Sequence, residues 1–247
     1  MSSSVPAGRP RAKRFVFAFG AVLAFLALLS LGTWQVYRLQ WKEALLQSIH
    51  SRLASPPLPL EAIEKRHAQD GDVDYWPVTV AGGFEHRNER HFFATHRGAS
   101  GYYIYTPLRL ADGRVIFVNR GFVPFERKEP ATRAEGQVAG QVTITGLARS
   151  RLAGKPSWVV PENDPGANIY YWKDLDDMAR QGGYRVDGEV VPFFVDANDA
   201  PNPGGLPVGG VTIIDLPNNH LQYAVTWYGL AAALAGVFAF WQRRQRA

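Results

Sequence analysis

Two long apolar stretches, one near each end of this chain, restrict what it can fold into more than any other feature. The first runs from Phe15 to Tyr37 with no charge between Arg14 and Arg38. The second runs from Leu221 to Gln242, bounded by His220 and Arg243. Each is about 22 residues, or ~33 Å as an α-helix, enough to cross a hydrocarbon core of ~30 Å. The expectation is a membrane protein: two transmembrane helices flanking a polar middle.

Charge supports that division once it is read by segment. The formal net charge is +5, but Arg9, Arg11, Lys13 and Arg14 precede the first span and Arg243, Arg244 and Arg246 follow the second. These seven of the 27 basic residues have no acid beside them, leaving 20 basic residues in the middle against all 22 acidic ones. Basic tails stay on the cytoplasmic side, so both termini should face in and the middle should face out. The basicity sits in short juxtamembrane tails, so no nucleic-acid partner is expected; the partner these tails call for is the lipid bilayer.

The first span exceeds the 7–15 residues usual for a signal-peptide core, and Thr33-Trp34-Gln35-Val36-Tyr37 follows where small residues would favour cleavage. It reads as an uncleaved anchor. The expected location is a bacterial inner membrane with the main domain in the periplasm; the acid-free, Arg-bearing start leaves the mitochondrial inner membrane as the alternative. There is no cysteine, and Met1 and Met178 are the only methionines. That excludes disulfides, CxxC redox motifs and c-type haem attachment, and leaves no soft ligands for copper(I).

The expected organisation is a basic tail over 1–14, a span over 15–37, a helical extension over 38–57, a β-rich domain over 58–219, a span over 220–242 and a basic tail over 243–247. Helix formers continue past the first span until Ser55-Pro56-Pro57. Strands are then expected over Tyr75–Phe84, Arg90–Thr95, Tyr102–Leu110, Val115–Val123, Gln141–Leu147 and Val190–Asp196, all rich in aromatic and β-branched residues. Asp112-Gly113 marks a hairpin, because Gly takes φ > 0 there. A short helix over Lys173–Gln181 should close at Gly182-Gly183, and the Pro- and Gly-dense run Asn198–Gly210 should be a loop returning to the bilayer. The domain is expected to be an antiparallel, β-dominated α+β unit, a strongly curved sheet or partial barrel.

Three groups of residues invite a chemical reading. With His220 at 0° on a helical wheel, Tyr223 falls at about 300° and Trp227 at about 340°, one stripe at the outer end of the second span. Tyr and Trp there form an ordinary interfacial belt; His220 is either a hydrated helix start or a ligand. At the end of the first span Gln35, Arg38 and Lys42 share a face, either snorkelling to lipid phosphates or docking carboxylates. His86, His91 and His96 are evenly spaced, but on one strand His91 and His96 point to opposite faces, which argues against a shared metal. Asn119-Arg120-Gly121 ends a strand as either a structural corner or an anion contact. No nucleophile elbow, phosphate loop or HExxH is present, so no enzyme is expected.

The motifs in order resemble the surfeit locus protein 1 family of cytochrome oxidase biogenesis factors. Leu31-Gly32-Thr33-Trp34-Gln35-Val36-Tyr37-Arg38 with Lys42 is similar to its LGxWQxxR…K signature, followed by Pro77-Val78 with Gly82 or Gly83, Thr106-Pro107-Leu108 and Asp112-Gly113. Val118-Asn119-Arg120-Gly121-Phe122-Val123-Pro124 is similar to its VNRGWVP block, with Phe122 where Trp is common. Asn218-Asn219-His220-Leu221-Gln222-Tyr223-Ala224-Val225-Thr226-Trp227 is similar to its NNHxxYxxTW segment.

The resemblance implies an assembly factor for aa3-type haem–copper oxidase that binds haem a transiently and helps deliver it to the catalytic subunit. It implies partners in that subunit and in the haem a synthesis machinery. His220 corresponds to the histidine linked to haem in that family, as an axial ligand of the iron. Tyr223 and Trp227 would pack beside the ring, Arg38 or Lys42 would meet its propionates, and Trp34 and Gln35 complete the expected cofactor-binding set. The alternative is a haem-free membrane scaffold that stabilises a newly made oxidase subunit.

Overall fold

A computed structural model of the chain describes residues 9–214 and 216–246. Of the expected tails and domain, residues 1–8, Asp215 and Ala247 lie outside the described residues. The chain forms two units, a helical one (Met1–Ser48 with Asp215–Ala247) and a domain (Ile49–Ile214).

The helical unit is built on α1 (Arg9–Leu53) and, at the other end of the chain, α5 (His220–Arg246). At 1.5 Å per residue α1 is about 68 Å long, twice the thickness of a hydrocarbon core. Both helices are apolar enough to cross a membrane, and only 6% and 11% of their most apolar windows are buried. Their large side chains (Phe15, Phe19, Leu23 and Leu26 on α1; Leu221, Leu230, Val237 and Phe240 on α5) face outward. A soluble core helix would bury them; on a lipid-facing helix the bilayer does so.

Between the helices in sequence lies an α+β domain that contains a closed barrel. Its elements are β1 (Leu58–Pro59), α2 (Leu60–Asp70), β2 (Pro77–Phe84), β3 (Arg90–His96), β4 (Ala99–Arg109), β5 (Val115–Pro124), β6 (Gln141–Ser150), β7 (Ile169–Tyr170), α3 (Leu175–Gln181), the irregular turn α4 (Val186–Glu189) and β8 (Val190–Ala197). The sheet order is β1-β2-β6-β8-β5-β4-β3-β7. A further antiparallel pairing of β2 with β4, Gly83 opposite Arg109 and Phe84 opposite Leu108, joins β2, β6, β8, β5 and β4 into a ring. β4 changes partner along one edge: Ala99–Tyr105 pair with β3, then Leu108 and Arg109 pair with β2. Pro107, which has no N–H to give a ladder, sits at the changeover, and its carbonyl accepts from the Glu85 N–H at 2.9 Å.

Most pairings are antiparallel, as expected, but β5–β8, β1–β2 and β3–β7 run parallel. The parallel β5–β8 pair explains why Val115-Ile116-Phe117-Val118 and Val190-Val191-Pro192-Phe193-Phe194-Val195 read as continuous apolar runs, because both faces are covered. Ile116, Val118, Val191, Phe193 and Val195 point into the barrel with Leu60 and Ile63 of α2. Val115, Phe117, Val190 and Phe194 point outward under Leu175, Met178 and Ala179 of α3.

The helix α2 and the strand β7 were not expected. α2 follows Ser55-Pro56-Pro57 at once, carries strong helix formers and buries Leu60 and Ile63 one turn apart. It ends at Gly71, whose φ of 70° takes the left-handed cap and whose N–H donates to the His67 carbonyl. Two residues of β7 are too short to leave a periodicity. α3 starts at Leu175 rather than Lys173, because the Asp174 carboxylate accepts from the Asp177 N–H at 3.0 Å and caps it there. The Asn198–Gly210 run is irregular, yet it is pinned: Phe122 and Val208 exchange both backbone hydrogen bonds, at 2.8 and 2.9 Å.

Candidate functional site

The site is assembled from two helices whose contact residues recur every three and four positions. On α1 the less exposed positions of the apolar span are Ala18, Ala21, Phe25, Leu28, Gly32 and Gln35, with Leu29 and Val36 flanking them; on α5 they are His220, Ala224, Trp227, Ala231, Leu234, Phe238 and Trp241. Such a 3.5-residue repeat is the seam of a two-helix coiled coil. The helices run antiparallel, since Gln35 meets His220, Thr33 meets Tyr228, and Phe17 meets Trp241 with ring centroids 4.9 Å apart. Gly32 makes room for the Tyr228 ring: a methyl group there would lie 2.8 Å from it. Beside it the Thr33 hydroxyl and the Tyr228 hydroxyl are 3.0 Å apart.

His220 is the first residue of α5, half-buried on that seam. Its Nδ1 lies 2.7 Å from the Gln35 Oε1, and Gln35 is only 8% exposed. An amide oxygen accepts hydrogen bonds and donates none, so Nδ1 is the donor here, and in the neutral imidazole Nε2 then keeps its lone pair. Nε2 has no hydrogen-bond partner among the described residues.

Other residues singled out from the sequence are placed as follows. Trp227 is half-buried on the seam about two turns beyond His220. Tyr223 and Trp34 are each 54% exposed, on faces turned away from the seam. The three-residue stripe of His220, Tyr223 and Trp227 is therefore divided. Gln35 turns inward to His220, whereas Arg38 lays its guanidinium over the Trp41 ring at 4.3 Å, and Lys42 is half-buried one turn on. A Cβ added at Gly229 or Gly236 of α5 would meet no atom within 4 Å, so neither glycine marks a close contact between the helices. The close approach uses Gly32, Ala224 and Ala231 instead. The signal for it was a glycine inside an apolar helix, where glycine costs roughly 0.5–1 kcal/mol against alanine unless something needs the space.

In the domain, the evenly spaced histidines go to separate tasks. His86 donates to the Val138 carbonyl (2.8 Å), His91 donates to the Glu89 carboxylate (3.0 Å), and His96 packs on Phe122. Among the described residues no three His, Cys, Asp or Glu side chains converge on a metal ion. Asn119-Arg120-Gly121 is the structural corner. The Asn119 side chain bonds Asp196 and the Gly121 N–H, and Arg120 donates to the Gly136 carbonyl and to Asn202. Burial pulls the Arg120 guanidinium down to about 10. Gly121 takes a φ of 121° with the Val208 carbonyl against it, which leaves no room for a side chain.

One free imidazole nitrogen cannot hold a bare metal ion, which needs several protein donors. It does suit a macrocycle that brings its own equatorial nitrogens and needs only an axial one. The half-buried Trp227 on the same seam and the two cations Arg38 and Lys42 fit an apolar ring with acidic substituents.

The sequence model of the SURF1 family matches residues 22–232. Surfeit locus protein 1 of Homo sapiens is 40% identical over 222 residues, 82% of this chain and 70% of that protein. The Rattus norvegicus protein of the same name is 40% identical over 222 residues, 82% of this chain and 68% of its own length. A SURF1-like protein of Monosiga brevicollis is 35% identical over 258 residues, covering 98% of this chain and 93% of its own.

Proposed function

This chain belongs to the SURF1 family, and on that premise we propose that it is a non-enzymatic assembly factor for an aa3-type haem–copper oxidase that binds haem a and helps deliver it to the catalytic subunit. The observation that carries the reading is His220, with one imidazole nitrogen tied to Gln35 and the other free.

When bound, haem a supplies an apolar ring, two propionates and an iron open to an axial ligand. His220 would offer Nε2 as that ligand. A lone protein donor would hold the group less firmly than a pair would, which suits transient holding. Trp227 would pack against the ring and keep water from its edge. Arg38 and Lys42 would pair with the propionates, Arg38 the better fitted to a carboxylate because its guanidinium is planar. Tyr223 and Trp34 face outward, where they would anchor the helices at the lipid headgroups or meet the oxidase subunit. The basic tails support a location in the bacterial inner membrane with the domain in the periplasm; the mitochondrial inner membrane is the second location the family allows.

The test is the visible spectrum and extracted haem type of the full chain purified in detergent from cells that make haem a, beside His220→Ala. Wild-type protein should carry haem a, and the variant should lose it while keeping its membrane insertion and melting temperature. Full haem occupancy in His220→Ala rules the axial role out. Haem in neither protein, with oxidase subunits co-purifying, replaces the carrier by a scaffold.

A further inference from the structure

We infer that Gln35 is the positioning residue for His220: its side-chain oxygen selects the imidazole tautomer and aims Nε2 at the incoming iron. The inference rests on the proposed haem-binding role of His220 and goes beyond it by giving a seam residue of the other helix control of the ligand. Three observations carry it. The Nδ1···Oε1 separation of 2.7 Å is that of a well-formed hydrogen bond. Gln35 is 8% exposed, so this oxygen has little water to turn to, and breaking the bond leaves a buried polar group without its partner. The neighbouring Gly32 and Thr33 lock α1 against Tyr228, which holds Gln35 at the height of His220 across 185 residues of chain.

The chemistry of the pair follows from which atoms can donate. Neutral imidazole carries one proton. If it sat on Nε2, the nitrogen that faces away from Gln35 would have no lone pair for a metal. With its amide oxygen turned to the ring, Gln35 accepts only from a protonated Nδ1, and in the neutral imidazole that arrangement leaves the Nε2 lone pair for a metal. The hydrogen bond also restrains rotation of the ring about its bond to the backbone and increases the electron density on Nε2, as partners beyond the metal do for other histidine ligands.

Two substitutions separate positioning from packing. Gln35→Leu preserves volume but removes the acceptor; Gln35→Glu preserves an acceptor oxygen. Purified full-length proteins in detergent are titrated with haem a, and affinity and the visible and electron-paramagnetic-resonance spectra are recorded. Positioning predicts that Gln35→Leu weakens haem a binding by about 10- to 100-fold with an altered axial-ligand spectrum, while Gln35→Glu stays close to wild type. A packing role predicts the reverse, Leu tolerated and Glu not, and that result overturns the inference. If His220→Ala loses haem a but both Gln35 variants bind it with the wild-type spectrum and affinity, Gln35 is dispensable and the carrier reading stands. If His220→Ala binds normally, the carrier reading itself has failed and the inference with it. Should Gln35→Leu fail to fold, Gln35→Glu decides alone: near-wild-type binding and spectrum uphold the inference, and loss overturns it.

Discussion

A buried ion cluster in the domain shows how single residues set stability here. Glu89 is 3% exposed; it accepts from His91 at 3.0 Å and pairs with the buried Arg133. Burial pushes the Glu89 carboxyl up, but the His91 hydrogen bond and the Arg133 charge outweigh it and hold the group below its ordinary 4.5. A carboxyl lowered by folding stabilises the fold above its unfolded value, and that contribution is lost as pH falls through the folded one. The domain should therefore lose stability below about pH 4.5, the ordinary glutamate value. Glu89→Gln should lower stability already at neutral pH by about 3–5 kcal/mol, since it leaves Arg133 a buried cation without its counter-charge. Thermal melts of the two proteins between pH 3 and 8 check both. A variant that melts with the wild type at pH 7 removes the ion pair from the account. Neither Glu89 nor Arg133 stood out in the sequence, where they are two charges 44 positions apart.

Among the elements, closure of the barrel depends on the meeting of β2 and β4. Gly82 and Gly83 are adjacent and read alike in the sequence. In the fold a methyl group on Gly82 would run into the Arg109 carbonyl of β4, whereas one on Gly83 would find its nearest atom, the Gly140 carbonyl oxygen, at 3.6 Å. Neither glycine has a positive φ, so the difference is one of space and not of backbone freedom. Gly82→Ala should cost about 1–3 kcal/mol, as overpacking does, while Gly83→Ala should be neutral or stabilise by up to about 1 kcal/mol through the unfolded chain. Urea or thermal unfolding of the two alanine variants reads the contrast directly. Equal effects mean that the β2–β4 contact is not a tight closure.

At the scale of the whole molecule, the question is which side of the membrane each part occupies. Charge asymmetry argues for both tails inside, and the absence of cysteine makes every introduced thiol a clean reporter. Trp158 is 90% exposed on the domain, so a cysteine there is open to reagent without disturbing a core. In intact cells with a permeable outer membrane, Trp158→Cys should react with a membrane-impermeant maleimide. Ser4→Cys, in the N-terminal tail, should react only after the inner membrane is opened. Labelling of both positions from the same side overturns the arrangement.

Sequence alone determined what depends on near neighbours in the chain. Hydropathy over some twenty residues marked the two spans, strand composition marked β2 to β6 and β8, Asp112-Gly113 marked a turn whose glycine does take a φ of 86°, and ordered motifs pointed to the family. Tertiary structure decided what depends on meetings across the chain. It chose the parallel β5–β8 pairing, closed the ring at Gly82, packed Leu60 and Ile63 of α2 into the barrel core, and turned Gln35 away from its apparent companions Arg38 and Lys42 toward His220. The reason is physical: periodicity tells which face of an element is apolar, but the partner of a polar group on that face is set by the other element packed against it. A glutamine on an apolar seam looks like a flaw until the helix that begins 185 residues later presents an imidazole to it.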